Sequence, residues 1–331
     1  MNLNSSATAN SPRPQQFTDY GNHPTQPLRV LLIGPTGFIG SRILAALEAH
    51  ENILLSILTR RADRFVAGAR TKVLSGDLAW PESITRAVRH SDVVINAASY
   101  VGDDEVLARR VNVDGGLSVI RACEEANVER LIQISTTAVY GSGPHIRMRA
   151  SKANYHPESA ASSSRSVLDR AVLAAGGLVI RPSLIYGAGD RWFIPGVVRM
   201  VKTLGATIND GDARLSMIDV EELGHLVAAL ALRNHCPAGA YHAADPAPST
   251  LADLLSAIHR NIAPLAISAS SSLEDAVQHL IWVGMRAHQV NLLGMDHYYE
   301  ASELWNMAER RPPGFCFTPQ AITWYKTKIS P

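Results

Sequence analysis

From Leu28 onward, short apolar runs alternate with stretches whose apolar residues recur at helical spacing. LRVLLIG, beginning at Leu28, is a run with no polar face, as a strand buried on both sides of a sheet requires. FIGSRILAALEAH follows with the spacing of an amphipathic helix. ILLSILT, TKVLSGD, DVVINAAS, RLIQIST and GLVIRPS repeat the strand signal, with helical stretches such as GLSVIRACEEANV between them. Strand–helix alternation implies right-handed crossovers and a parallel sheet covered on both faces.

After Tyr186 the rhythm loosens. GAGDRWFIPGVVRMVKTLGA predicts a loop and a helix, RLSMIDV a strand, VEELGHLVAALALRN a helix and AYHAAD a strand. The predicted fold class is α/β: a Rossmann doubly wound parallel sheet with a smaller, irregular C-terminal substrate-binding cap. The expected boundaries are a disordered leader over 1–26, a dinucleotide-binding domain over 27–187 with 214–244 returning to it, and a cap from 188–213 and 245–331. Open parallel sheets bind ligands beyond the carboxyl ends of their strands, so such a cap would wall a substrate pocket.

Composition narrows the function classes. A formal charge of +1 lacks the basic excess of a general nucleic-acid binder. Cys123, Cys236 and Cys316 are odd in number and widely spaced, which supports neither a disulfide framework nor a zinc site and fits a reducing, cytoplasmic setting. No apolar run approaches the roughly 18 residues of a membrane span. The expected partner is a small molecule, without nucleic acid, membrane or metal.

Gly34-Pro-Thr-Gly37-Phe-Ile-Gly40 lies between the first strand and the first helix. Gly34 permits the tight turn, Gly37 admits a phosphate to the backbone, and Gly40 lets the helix pack on the sheet. Unpaired N–H groups at the helix start would face a pyrophosphate. The second strand ends in Leu58-Thr59-Arg60-Arg61, where NAD sites place an acidic residue for the ribose hydroxyls. Arginine there instead can pair with the 2′-phosphate of NADP, so the expected cofactor is NADP(H). A solvated basic loop is the alternative.

Further motifs follow in order: Gly76-Asp77-Leu78, Asn96-Ala97-Ala98, Asn112-Val113-Asp114-Gly115, Ser135-Thr136-Thr137-Ala138-Val139-Tyr140-Gly141 and Arg181-Pro182-Ser183-Leu184-Ile185-Tyr186-Gly187. Together with the glycine motif they resemble the extended short-chain dehydrogenases/reductases, the NAD-dependent epimerase/dehydratase superfamily, from about Leu28 to Asp245. The resemblance implies that Thr36, Phe38 and Ile39 join the three glycines at the cofactor. It places Asp77 and Leu78 at the adenine and Ala97 to Ser99 along the ribose and nicotinamide. Asn112 and Ile134 would belong to the same site, and Pro182 and Ile185 would flank the carboxamide. For Ala97, Ala98 and Ile185, core packing is an equal alternative. The family commonly forms helix-packed homodimers.

Family catalysis uses a Ser or Thr, a Tyr and a Lys. Thr136 holds the first position. The Tyr-x-x-x-Lys pair should fall in the serine-rich stretch SAASSSRSVLDRA, where Ala161 and Arg165 stand instead, with Asp169 keeping the register. No tyrosine in the chain has a lysine four positions later. Arg165 can hold ribose hydroxyls but is a poor proton donor. Thr136 and Ser99 are candidates to bond the developing alkoxide. Tyr100, Tyr155, Tyr186 and His145 are candidate substitute acids, as are water and an acidic group on the substrate.

The resulting expectation is an NADPH-dependent ketoreductase, similar to atypical family members that reduce aromatic polyketides. Trp192, Phe193, Met217, Trp282, Met285 and Trp305 are expected to line an apolar pocket, with cap packing as the alternative. A non-catalytic NADP-binding regulator and a sugar-nucleotide epimerase or dehydratase are the competing readings.

Overall fold

A computed structural model describes residues 26–66 and 68–329. The leader expected over Met1–Gln26 therefore lies outside the described residues, Gln26 excepted. The first part of the chain forms β1 (Leu28–Ile33), α1 (Phe38–Glu48), β2 (Ile53–Thr59), β3 (Thr71–Ser75), α2 (Pro81–Val88), β4 (Val93–Asn96), α3 (Glu105–Ala108), α4 (Gly115–Glu125) and β5 (Arg130–Ile134). Next come β6 (His145–Met148), α5 (Ala160–Ala174), β7 (Leu178–Pro182), β8 (Leu184–Tyr186), α6 (Phe193–Leu204) and β9 (Ala206–Ile208). Then follow β10 (Arg214–Leu215), β11 (Met217–Asp219), α7 (Val220–Leu232), β12 (Gly239–Ala243), β13 (Ser249–Thr250), α8 (Leu251–Asn261) and β14 (Ala269–Ser271). The last elements are α9 (Leu273–Trp282), α10 (Ala287–Gly294), β15 (His297–Tyr299), α11 (Ser302–Met307) and α12 (Pro319–Lys328).

Seven strands form one sheet in the order β12-β7-β5-β4-β1-β2-β3, every neighbouring pair parallel. The order reverses at β1, which opens a crevice where β1 and β4 diverge. Alternation along β1 divides the core. Val30 and Leu32 face a cluster with Ile43 and Leu47 of α1 and Leu226 and Leu230 of α7. Leu31 and Ile33 face Ile84 of α2, Val119 of α4 and Leu168 of α5. At Gly224 a Cβ would meet the Arg42 backbone at 2.6 Å, so glycine lets α1 and α7 touch.

The cap has its own core, in which Val197 and Val201 of α6, Leu254 of α8, Leu280 of α9, Val290 of α10 and Tyr325 of α12 pack together. A four-stranded sheet, β13-β10-β15-β6, stitches it to the loop after β5. Two boundaries differ from expectation. β10 pairs with β13 and β15, so Arg214 and Leu215 belong with the cap sheet rather than the returning segment. α11 goes the other way: Leu304 and Trp305 are buried in the Rossmann core, and the Trp305 indole donates to Ala244 O at 2.7 Å.

That placement also corrects the expected aromatic pocket. Trp305 fills the Rossmann core, Met217 and Met285 are buried in the cap core, and Phe193 packs against it. Trp192 and Trp282 are 83% and 91% exposed. The six side chains do not wall one cavity. No described helix is long and apolar enough to cross a membrane.

Candidate active site

The turn after β1 is built as its glycines require. Gly34 has φ +83°, and a Cβ there would meet Ala98 backbone atoms at 2.8 Å. A Cβ on Gly40 would lie 2.0 Å from Gly34 O. Helix α1 can start this close to β1 only because both residues lack a side chain. Gly37 caps the helix without a side-chain hydrogen bond, and no acidic residue stands in the first turn. Its leading N–H groups are thus left for an anion, which fits a dinucleotide pyrophosphate. Thr36 and Gly37 are exposed at this turn, and Phe38 and Ile39 are partly buried.

Around this turn stand the other expected cofactor residues. Arg60 and Arg61 are exposed just past β2, and neither has an ion-pair partner among the described residues. Asp77 accepts from Ala79 N at 2.9 Å, while Leu78 is buried beneath it. Ala97, Ala98 and Ser99 continue from β4, partly exposed at its carboxyl end. Ile134, ending β5, is buried in the Rossmann core, and Ile185 packs partly buried against it. Pro182 is buried at the end of β7.

Asn112 lies in a single π-helical turn at Arg109–Asp114, and it is 2% exposed. Its Oδ1 accepts from Tyr100 N at 2.7 Å, and its Nδ2 donates to Tyr100 O and Ser164 Oγ at 2.9 and 2.8 Å. The amide is spent on protein groups, so Asn112 braces the loop carrying Ser99 against α5.

The serine-rich stretch, whose composition reads as a loop, is the first two turns of α5. Ser159 caps it in a box with Ser162. Ser162, Ser164 and Ser166 turn their hydroxyls back onto carbonyls three residues earlier. These short, internally satisfied side chains let the helix lie close against the sheet. Ala161 and Arg165 share one helical face, and Arg165 Nη2 donates to Ser99 Oγ across the crevice. Burial pulls the guanidinium's pKa below its usual value, and Asp169 one turn on opposes that. Ser99 thus accepts from Arg165 and keeps its own proton to donate. Thr136 is arranged similarly: Oγ1 accepts from Ala138 N at 3.1 Å, leaving its O–H free.

Beneath the site, Asp169 and Arg181 form an ion pair at 2.9 Å with both side chains 1% exposed. Arg181 also donates to the Tyr140 and Tyr155 hydroxyls. Burial raises the pKa of Asp169 despite Arg181, and pushes Tyr140 up to about 12. Tyr140 continues to His242 Nε2 at 2.8 Å. Of the candidate substitute acids, Tyr155 is therefore tied to Arg181, and His145 Nδ1 to the Tyr299 hydroxyl at 2.8 Å. Tyr186 is buried in an aromatic cluster with Phe315 and Phe317. Tyr100 lies folded over its own loop, its hydroxyl accepting from Asp104 N at 3.4 Å. Tyr155, Tyr186 and His145 are thus engaged elsewhere, while Tyr100 keeps a proton to donate.

One group escaped the sequence reading. Arg286, ahead of α10 in the cap, forms a two-pronged ion pair with Asp103 in the loop after β4. It holds the start of α10 over the carboxyl end of the sheet. No local motif signals a contact between residues so distant in sequence.

Comparison with known proteins agrees with this architecture. A ketoreductase of Stigmatella aurantiaca, acting on 4-hydroxy-2-methyl-3-oxo-4-farnesyl-3,4-dihydroquinoline-1-oxide, is 26% identical over 186 residues, covering 53% of this chain and 56% of its own. A 2-alkyl-3-oxoalkanoate reductase of Shewanella oneidensis is 28% identical over 247 residues, 68% of this chain and 64% of its own. Each match spans under two thirds of the relative's length. Among solved structures, UDP-glucose 4-epimerase of Thermus thermophilus in complex with NAD superposes with TM-score 0.64 at 21% identity, covering 91% of this chain and 98% of that one. UDP-N-acetylglucosamine 4-epimerase from Methanobrevibacter ruminantium gives 0.70 at 16% identity, covering 92% and 100%. These likenesses show the fold. The family described as "NAD dependent epimerase/dehydratase family" matches residues 30–241, more than half of the chain, and the protein belongs to that family.

Proposed function

We propose that the protein is an NADPH-dependent ketoreductase acting on an aromatic, polycyclic ketone of polyketide type. The observation that carries this reading is a contrast. The glycine cradle is intact, while the helix that should present tyrosine and lysine presents Ala161 and Arg165. When bound, the reduced nicotinamide supplies a hydride.

The chain's own residues bind and orient. Free N–H groups at α1 take the pyrophosphate, and the exposed Arg60 and Arg61 suit a 2′-phosphate. Arg165 holds ribose hydroxyls as a fixed cation. Thr136 and Ser99 each keep a proton to direct at the substrate oxygen, which stabilises negative charge developing there. Alignment of the reactants supplies much of the rate by itself. Reduction suffers least from the missing tyrosine, because it asks for a proton only once hydride has arrived. Epimerisation begins by removing a hydroxyl proton, and neither Ala161 nor Arg165 is a base for that. The ketoreductase and reductase relatives support reduction, although a UDP-glucose 4-epimerase of Vibrio cholerae is similarly related at 25% identity over 189 residues, so the choice between them rests on the missing base. A cofactor-binding regulator is the second reading, favoured by the absent pair alone.

The test is NADPH oxidation by purified protein with an aromatic ketone, compared with NADH. Turnover with NADPH preferred, and preference reduced by Arg60→Ala, is expected. Tight cofactor binding with no oxidation on any ketone would leave the regulator.

A further inference from the structure

Residues 140–158, between β5 and α5, line a cavity of about 670 Å³. Neither the glycine turn nor Ser99, Thr136, Ala161 or Arg165 belongs to its walls. Those walls are basic: Arg147, Arg149 and Lys152 stand against the single carboxylate of Glu158. Glu158 is already engaged, accepting from Ser142 N at 3.0 Å and from the Ser142 hydroxyl. Arg147 pairs with Glu300. Arg149 and Lys152 are exposed and have no ion-pair partner among the described residues. Pro144, Met148 and Ala153 add apolar surface, and Asn154 and His156 add side-chain N–H groups.

The backbone is bent to make this wall. β6 pairs with β15 at His145–His297 and Met148–Tyr299, so Ile146 and Arg147 stand opposite the single Tyr298. A bulge of this kind breaks strand alternation and re-aims a side chain. His145 is buried, yet Arg147 two residues on is exposed and lines the cavity. Its backbone lies in the left-handed region at φ +49°, a strained state for a residue with a side chain and one that gathers at ligand sites.

We propose that this cavity is a second ligand site, taking a small organic phosphate: a phosphate monoester on a compact apolar body. Arg149 and Lys152 match the two charges of such a group, and guanidinium and ammonium are the usual partners of phosphate oxygens. The volume suits a small molecule, for which sites run from roughly 300 to 1,000 Å³. A carboxylate offers less charge and fewer acceptor oxygens, so it should bind more weakly. Glu158 directly precedes Ser159, the cap of α5, so an occupant sits against the start of the helix that carries Arg165. The proposal stands apart from the ketoreductase reading.

Phenyl phosphate is the probe, titrated into the full chain isotope-labelled at its methionine methyls. The Met148 signal, identified by its loss in Met148→Leu, should move and saturate. Benzoate should bind at least about tenfold more weakly, and benzyl alcohol should leave the signal in place. The double variant Arg149→Ala, Lys152→Ala should keep the wild-type Tm while its Kd for phenyl phosphate rises at least about tenfold. Added salt should weaken wild-type binding, because the cations are exposed. A Met148 signal that phenyl phosphate does not move overturns the proposal, as does an unchanged Kd in the folded double variant. Inorganic phosphate binding as tightly as phenyl phosphate would mark an adventitious ion only and overturn it too.

Discussion

Two glycines three residues apart make opposite demands, and exchanging each for alanine separates packing from cofactor binding. At Gly40 the added methyl would sit 2.0 Å from Gly34 O, more than an ångström inside ordinary contact. Both atoms belong to backbone held by β1 and α1, so the strain cannot be shed by a side chain. Overpacking of this kind costs about 1–3 kcal/mol. At about 2–4 °C per kcal/mol for a large domain, the Tm of Gly40→Ala should fall by several degrees without any ligand. At Gly37 the backbone is extended (φ −76°), and the nearest atom to a Cβ is Gly34 O at 3.6 Å. Gly37→Ala should therefore fold with its Tm unchanged. Its methyl would stand where the pyrophosphate comes to the helix start, so the NADPH Kd should rise at least about tenfold, or 1.4 kcal/mol. Thermal melts of the free proteins and fluorescence titration with NADPH read the two effects. A folded Gly37→Ala that binds NADPH as tightly as the wild type would refute the placement of the phosphates.

Other outcomes follow from buried charge. Asp219 is 5% exposed, and burial raises its carboxyl to about 6 from 3.8, so its ionisation opposes folding above that range. Asp219→Asn keeps an acceptor for Glu221 N and should stabilise the protein by up to about 3 kcal/mol at pH 7, the gain shrinking as pH falls toward 3.8; urea unfolding that shows no gain refutes this. His145 and His242 are buried neutral, with burial pulling them down to about 4 and about 3. Their contribution should be complete above the unfolded value of 6.5 and drain away as pH falls from there to about 3. Measured in the Asp219→Asn background, stability that stays flat across that window would contradict it. Asp169→Asn leaves Arg181 buried without its counter-charge and should cost about 3–5 kcal/mol, a loss that chemical denaturation would detect.

What was legible in the sequence was local. Strands buried on both faces announce themselves as unbroken apolar runs, and β1, β2, β4 and β7 fall where LRVLLIG, ILLSILT, DVVINAAS and GLVIRPS stand. The glycine turn was readable because its spacing encodes a steric requirement. The serine-rich stretch was legible through its register, Arg165 and Asp169 four apart, and its serines bond back to carbonyls within the helix. The tryptophans misled for a tertiary reason. Trp305 and Trp282 are chemically alike, and only the return of α11 to the Rossmann core separates buried from exposed. Arg286 and Asp103 were invisible because their contact joins two elements far apart in the chain.

The most direct test of the central idea, that this crevice aligns a nicotinamide with a ketone although α5 offers no tyrosine, is a single-turnover experiment. Protein saturated with NADPH is mixed with α-tetralone, and loss of the reduced nicotinamide's absorbance is matched against alcohol formed. One alcohol for each NADPH consumed is the predicted result, persisting in the wild type with Ala161 and Arg165 in place. Bound NADPH that stays fully reduced while the ketone is recovered unchanged would contradict it.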